Sequence, residues 1–260
     1  MPLAAGARAS AALLRTGLPV FLDADAPEAA DIAPTALVRN AAAVRDALAD
    51  VGDRVTLTLG GDCGVDLEPI ASAAARYGGD LAVVWLDAHG DLNTPAESPS
   101  GAFHGMVLRT LLGDGPDELL PPAEGRLTPA QVLLAGTRAL DAGEQAYLDH
   151  AGMTPLQVAA LADPKAIVAR LASLGASRVY VHIDLDVLDP GEFAGLSYPE
   201  PHGVPAAHLC AAVAALTGHY DLVGLSLTEH APTPDAAENR ADAEVLRGLI
   251  TAAGLGGLLR

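Results

Sequence analysis

The chain has 260 residues, half of them apolar, and a formal net charge of −18 at pH 7. That length suits one large core, the acidic balance excludes the basic footprint of a nucleic-acid binder, and no stretch approaches the roughly 18 consecutive apolar residues of a membrane span. Two cysteines, Cys63 and Cys210, are no disulfide framework and fit a reducing cytosol. The first residues carry Arg8 and Arg15 without an apolar stretch and cleavage site, so no secretory signal is expected.

Apolar runs alternate with helical patterns along the chain. Strands are expected at 19–23, 55–60, 81–87, 131–136, 179–184 and 221–228. After the first of these, Leu37, Val38, Ala41, Val44 and Leu48 recur at helical spacing, with Pro34 near the helix start. Further helical patterns fall at 103–112, 163–174, 205–217 and 240–254, and Asp163 is positioned to cap the helix that opens at Pro164. Segment 113–129, rich in Gly and Pro, reads as a loop. This alternation predicts an α/β domain over residues 1–260, a mostly parallel sheet with helices on both faces.

Two acidic clusters close two of the apolar runs. Asp87-Ala88-His89-Gly90-Asp91 follows Leu81–Leu86, and Asp184-Leu185-Asp186 follows Val179–Ile183. The C-terminal edge of a parallel sheet is where α/β proteins bind ligands. In extended backbone, residues i and i+2 share a face, so Asp87, His89 and Asp91 reach one site if that geometry persists, and Asp184 and Asp186 do likewise. Carboxylate and imidazole suit Mn, Fe, Co and Zn. The competing reading, carboxylates that merely cap turns, leaves four negative charges crowded at a buried edge without a cation.

The chain resembles the ureohydrolase family of arginases, agmatinases and formimidoylglutamases. The likeness rests on Gly60-Gly61-Asp62-Cys63, Asp87 to Thr94, Ser100-Gly101-Ala102-Phe103-His104-Gly105, Asp184 to Pro190 and, more weakly, Gly224 to Glu229. The resemblance implies a three-layer α/β/α sandwich around a sheet of about eight strands. It implies two Mn(II) ions bridged by hydroxide, with Asp87 and Asp184 touching both, Asp91 and the residue at Cys63 on one ion, and His89 and Asp186 on the other. Ions roughly 3.5–4 Å apart share a water and lower its pKa, and the hydroxide attacks a guanidinium carbon. By the same likeness, His104 is the proton shuttle, Glu229 pairs with the guanidinium, and Asp91 also holds the hydroxide. Asn93, Ser98 and Ser100 match positions that hold the amino-acid end of the substrate, and Asp141 and Glu144 match acids near its ammonium. Asp141 and Glu144 also have the spacing of a helix capping box. Homo-oligomers, trimers or hexamers, are usual in the family.

Three departures matter. Cys63 stands where the family has a histidine ligand, as in some relatives acting on N-hydroxyarginine. Either the ion on that side binds weakly, or a softer metal such as Zn, Fe or Co replaces Mn, or Cys63 is an inert buried thiol. Ala102 replaces an asparagine that contacts the substrate carboxylate in arginases. The chain begins almost within the first helix, which implies a missing N-terminal strand, through a short start or a rearranged edge. His182, deeper in its strand than Asp184, reads as a packed, hydrogen-bonded residue; for His230, beside Glu229, a role supporting that residue is the less favoured alternative.

The expectation is a cytoplasmic, metal-dependent hydrolase with one or two Mn(II). It would cleave a C–N bond of a small guanidino or formimidoyl compound, with no nucleic-acid or membrane partner. The alternative is a metal-poor, non-catalytic binding or assembly protein on the same fold.

Overall fold

The expected alternation of strand and helix is present in the computed structural model, which describes residues 2–15 and 34–260. The strand expected at 19–23 lies outside the described residues. Five parallel strands form one sheet in the order β1-β5-β4-β2-β3: β1 Thr56–Leu59, β2 Leu81–Leu86, β3 Val132–Ala135, β4 Arg178–Asp184 and β5 Asp221–Thr228. Every residue of β2 is buried, as expected of a central strand covered on both faces.

Side-chain alternation along β2 divides the interior into two cores. Leu81, Val83 and Trp85 face one, which is filled by α3 (Leu67–Tyr77), α4 (Val107–Leu111) and α5 (Ala142–Ala151). Ala82, Val84 and Leu86 face the other, filled by α6 (Pro164–Ala172), α7 (Ala206–His219) and α8 (Ala236–Ala252). Two more helices, α1 (Pro2–Ala11) and α2 (Pro34–Leu48), precede the sheet in the chain. The result is the expected three-layer arrangement. Among the described residues, no helix is long and apolar enough to cross a membrane.

The order of strands positions the site. The chain leaves β2 for β3 on one side, and leaves β4 for β5 on the other, while β2 and β4 are hydrogen-bonded neighbours. A crevice opens at such a reversal, at the carboxyl ends of the strands. The residues that follow these two strands are Asp87 and, closing β4 itself, Asp184.

Several elements differ from expectation. The sheet has five strands among the described residues rather than about eight, a number that came from resemblance and not from the apolar runs. Beyond β3, Leu156 makes a single parallel bridge to Ala135. Pro155 offers no N–H, and the helical turn Val158–Ala162 begins two residues later, so the pairing does not lengthen. Helix α3 was not expected; its buried stripe mixes Leu67, Ile70 and three alanines with Glu68 and Pro69. The helix expected from 240 begins at Ala236, where the Asp235 side chain accepts from the Ala237 and Glu238 N–H groups. The pattern at 103–112 opens as a tight helical turn, Phe103–Met106, before α4.

One glycine is required by contact. The pairing of β4 with β5 shifts register between Val179 and Tyr180, which brings Gly224 opposite Tyr180. A Cβ on Gly224 would stand 2.2 Å from the buried Tyr180 ring. Gly224→Ala is therefore expected to cost about 1–3 kcal/mol of stability, the usual penalty of overpacking. Urea unfolding measures it, and an unchanged midpoint would show that the ring is free to shift.

Candidate functional site

Hydrogen bonds fix the two acidic clusters to each other. Asp87 Oδ2 accepts from the Trp85 indole N–H at 3.0 Å, and Oδ1 accepts from the His89 N–H at 2.6 Å. Asp184 Oδ1 accepts from the Asp186 N–H at 2.9 Å. Asp186 Oδ1 accepts from the Ala88 N–H at 3.0 Å, which ties the end of β4 to the end of β2. Arg138 clasps the rim, donating to the carbonyls of Gly136, Asp186, Val187, Glu200 and Pro201.

The candidate ligands assemble into three overlapping groups whose ligand atoms lie within 4.8 Å of one another. Asp87, His89 and Asp186 form one, with His89 Nδ1 2.9 Å from Asp186 Oδ2. Cys63, Asp87, Asp91 and His182 form a second, and Cys63, Asp184 and Glu229 a third. Asp87 is thus common to both sides of the site. Asp184 lies with Cys63, whose thiol donates to its Oδ2 at 3.1 Å, and is not grouped with His89.

The i, i+2 expectation holds for Asp87 with His89 but not for Asp91. Asp91 has φ of 51°, in the left-handed region, so the extended run ends there and Asp91 joins the Cys63 side. Glu229 also has positive φ, 62°. Non-glycine residues in this region cost about 1–3 kcal/mol and cluster at functional sites.

Charge is crowded in the buried part of the site. Burial, then the neighbouring carboxylates, push the carboxyls of Asp91 and Glu229 well above the usual range, and Asp184 likewise. Burial and the charge of Asp87 raise Asp186 to about 6. Burial alone would lower His89, but Asp186 and Asp87 outweigh it and hold the imidazole up to about 12. Burial pushes the Cys63 thiol up, and the surrounding carboxylates push it further. Burial lowers His104 below its ordinary value.

Unpartnered atoms test whether a divalent ion fits. Asp91 Oδ2, His182 Nε2 and both Glu229 carboxylate oxygens are buried without a hydrogen-bond partner. Buried polar atoms are ordinarily satisfied. These oxygens and this nitrogen are donors of the kind that bind Mn, Fe, Co or Zn, so the residues present fit a divalent ion of that class.

The remaining expected residues surround this centre. His104 Nδ1 is 3.6 Å from Glu229 Oε1, and its ring stacks on Tyr198 at 5.2 Å. Asn93 Nδ2 donates to Asp141 Oδ2 at 2.9 Å, while Asn93 Oδ1 is buried without a partner. Glu144 is buried and its two oxygens accept from the backbone N–H groups of Leu92 and Asp141, the latter closing the capping box. The Ser98 and Ser100 hydroxyls accept from the Gly101 and Ala102 N–H groups. His230 bonds Ser10 through Nδ1 rather than Glu229.

Four residues at the site lacked a usable signal in the sequence. Glu200 approaches His89 Nε2 at 3.9 Å and Tyr198 covers His104, both from a loop without periodicity. Asp66 lies beneath the site and meets His182 at 2.7 Å. His182 itself shares a strand face with Asp184, a spacing that was visible, but its free nitrogen was not.

Comparisons with known proteins agree with this geometry. The family model described as Arginase family matches residues 8–251. The arginase of Staphylococcus aureus is 38% identical over 164 residues, which cover 58% of this chain and 54% of that protein. The crystal structure of arginase from Bacillus subtilis superposes with a TM-score of 0.77 at 30% identity, over 86% of this chain and 80% of that one. The Entamoeba histolytica arginase, solved in complex with L-ornithine, shares the fold with a TM-score of 0.79 at 24% identity, over 90% and 82% of the two chains. The chain spans about half the length of the curated relatives it matches.

Arg138→Met removes the clasp on the rim. Hydrogen bonds from a charged donor are worth about 1.5–3 kcal/mol each way of counting, so a loss of roughly 2–3 kcal/mol is expected in urea unfolding. Amide exchange should quicken in residues 198–203 and stay slow in β2; equal acceleration in both would show that Arg138 supports the whole sheet rather than the rim.

Proposed function

The chain belongs to the arginase family, and on that footing we propose that it is a metal-dependent amidinohydrolase. It would add water across the amidine carbon of a guanidino or formimidoyl compound, releasing an amine with urea or formamide. The observation that carries this reading is Glu229. Both of its oxygens are buried and unpartnered beside the ligand groups, a setting that suits the paired N–H groups of a planar guanidinium.

Asp87, His89, Asp91, Asp184, Asp186 and Cys63 would hold Mn(II), as one ion or two. The thiol of Cys63 is softer than the other donors and also suits Zn, Fe or Co. When bound, divalent ions lower the pKa of water, so that a nucleophile is available near neutral pH. The protein's own residues do the rest. Glu229 orients the guanidinium and balances its charge. His104, which burial keeps neutral, accepts a proton at a ring nitrogen and passes it to the departing amine. Asp91 holds the attacking water in line through an oxygen left free by the fold.

Asn93, Ser98, Ser100, Asp141 and Glu144 line the far end of the substrate in this reading. Ala102 has no side-chain donor for a carboxylate there, which favours a decarboxylated guanidine over arginine, while Cys63, as in some relatives acting on N-hydroxyarginine, favours a modified guanidine. Association into trimers or hexamers and a place in a reducing cytosol belong to the same reading, the latter supported by two free cysteines.

The test is metal content together with product release. The Mn(II)-loaded protein is offered arginine, N-hydroxyarginine, agmatine, guanidinobutyrate and formimidoylglutamate. Turnover of at least one is expected. His104→Ala should then lower kcat by about 10²-fold or more. Glu229→Gln should lower kcat/KM by roughly 10²-fold, since breaking a buried charge pair costs about 2–5 kcal/mol. No bound metal and no turnover on any of the five would favour a binding or assembly protein.

A further inference from the structure

His182 lies in the middle of the sheet, wholly buried, on the strand that ends in Asp184. Its Nδ1 is 2.7 Å from Asp66 Oδ2. Asp66 also accepts from the Tyr180 hydroxyl at 2.7 Å and from the Ser226 hydroxyl. A carboxylate oxygen accepts, so the imidazole proton sits on Nδ1 and Nε2 keeps its lone pair. Stacking on Trp85, with ring centroids 3.6 Å apart and planes 17° apart, fixes the ring.

The result is a rigid nitrogen donor with nothing to bind. Nε2 is buried and unpartnered. A ring nitrogen of His182 shares a group of atoms within 4.8 Å with Cys63, Asp87 and Asp91, and Nε2 is the one not committed to Asp66. Asp91 Oδ2 is unpartnered in the same way. Were the two joined by a hydrogen bond, neither would be an orphan. Lone pairs brought this close and left unsatisfied mark the place of a cation. A histidine whose other nitrogen donates to a carboxylate is also the usual form of a metal-binding imidazole, because that bond sets tautomer, orientation and basicity.

We propose that His182 is a metal ligand on the Cys63 side of the site, its Nε2 supplying the imidazole donor for an ion shared with Asp87 and Asp91. The proposal rests on the metal-dependent reading above. It assigns Asp66 as a positioning residue, acting through His182, and it removes the need for a Cys63 thiolate to hold that ion.

Pulsed EPR of bound Mn(II) reads nitrogen ligands directly. His89→Ala removes the imidazole of the other side, and the Mn(II) that remains is expected to keep a nitrogen coupling. Adding His182→Asn should abolish that coupling, while the asparagine side chain still meets Asp66 near the former Nδ1 position. His182→Asn alone should weaken one Mn(II) by 10-fold or more in a titration and leave the other in place. Mn(II) bound to His89→Ala without a nitrogen coupling, or a coupling that survives in the double variant, would overturn the assignment while leaving metal dependence standing. A wild-type protein that takes up no Mn(II), Zn(II), Fe(II) or Co(II) would overturn the metal-dependent reading itself, and the assignment with it. The His89→Ala result does not alter His182, so it decides the matter even where His182→Asn fails to fold.

Discussion

Uncompensated negative charge at the ends of two neighbouring parallel strands governs the rest of this structure. Asp87, Asp91, Asp184, Asp186 and Glu229 are all buried; among the described residues His89 meets Asp87 and Asp186 directly on one side, and Arg138 adds a more distant positive charge at the rim. Leaving a single buried charge unpaired costs several kcal/mol, and a whole domain has about 5–15 kcal/mol of net stability. The cluster therefore holds together only with protons or with added cations. The raised carboxyls of Asp91, Asp184 and Glu229 express the first solution, and the orphaned oxygens of Asp91 and Glu229 leave room for the second. The fold supplies the place for this tension through the reversal of strand order between β2 and β4.

A second polar layer lies directly beneath, and it is paired at Asp66, with only His182 Nε2 left over on the side of the site. Tyr180, Ser226 and His182 all address Asp66, and Trp85 connects that layer to Asp87 by its indole N–H while stacking on His182. Such networks rigidify when every member is satisfied. Gly224 belongs to the same device, since it leaves space for the Tyr180 ring that reaches Asp66. The contrast between the bonds gathered on Asp66 and the orphaned atoms above them, His182 Nε2 included, separates scaffold from site. The layer holds ligand atoms within a few ångströms, and the site keeps the lone pairs that the scaffold has no use for.

Much of this was legible in the sequence, for specific reasons. The strands ending in Asp87 and Asp184 announce themselves because central parallel strands are apolar on both faces, and acidic residues then mark where they stop. Helix α6 was legible through Asp163 and Pro164, and α5 through the spacing of Asp141 and Glu144. Helix α3 was not, because Glu68 and Pro69 interrupt the apolar pattern of its buried stripe near its start and small alanines continue it. The partition of ligands was illegible too. It depends on the left-handed turn at Asp91, which sends that carboxylate to Cys63 and away from His89. Asp66 carries no pattern at all, since its partners come from 114 to 160 residues away in the chain.

The rim of the site is built differently from its floor, and this bears on what the protein discriminates. On the floor, buried atoms lack partners. At the rim, Ser98 and Ser100 already bind backbone N–H groups, Asn93 Nδ2 is committed to Asp141, and Glu144 is consumed by the start of α5. Asn93 Oδ1, an acceptor, is buried there without a partner, Asp141 is bonded to the same side chain, and Glu200 adds an acid beside His89. Ala102 contributes no donor, and Arg138 is turned inward on carbonyls. In the proposed reading, a cationic tail arriving at this rim meets Asp141 and the Asn93 carbonyl, whereas the side-chain donors left for a carboxylate are the hydroxyls of Ser98 and Ser100. An unpaired buried polar group costs about 1–3 kcal/mol, so in the proposed reading a tail that leaves Asn93 Oδ1 unpaired is disfavoured by about that much against one that donates to it.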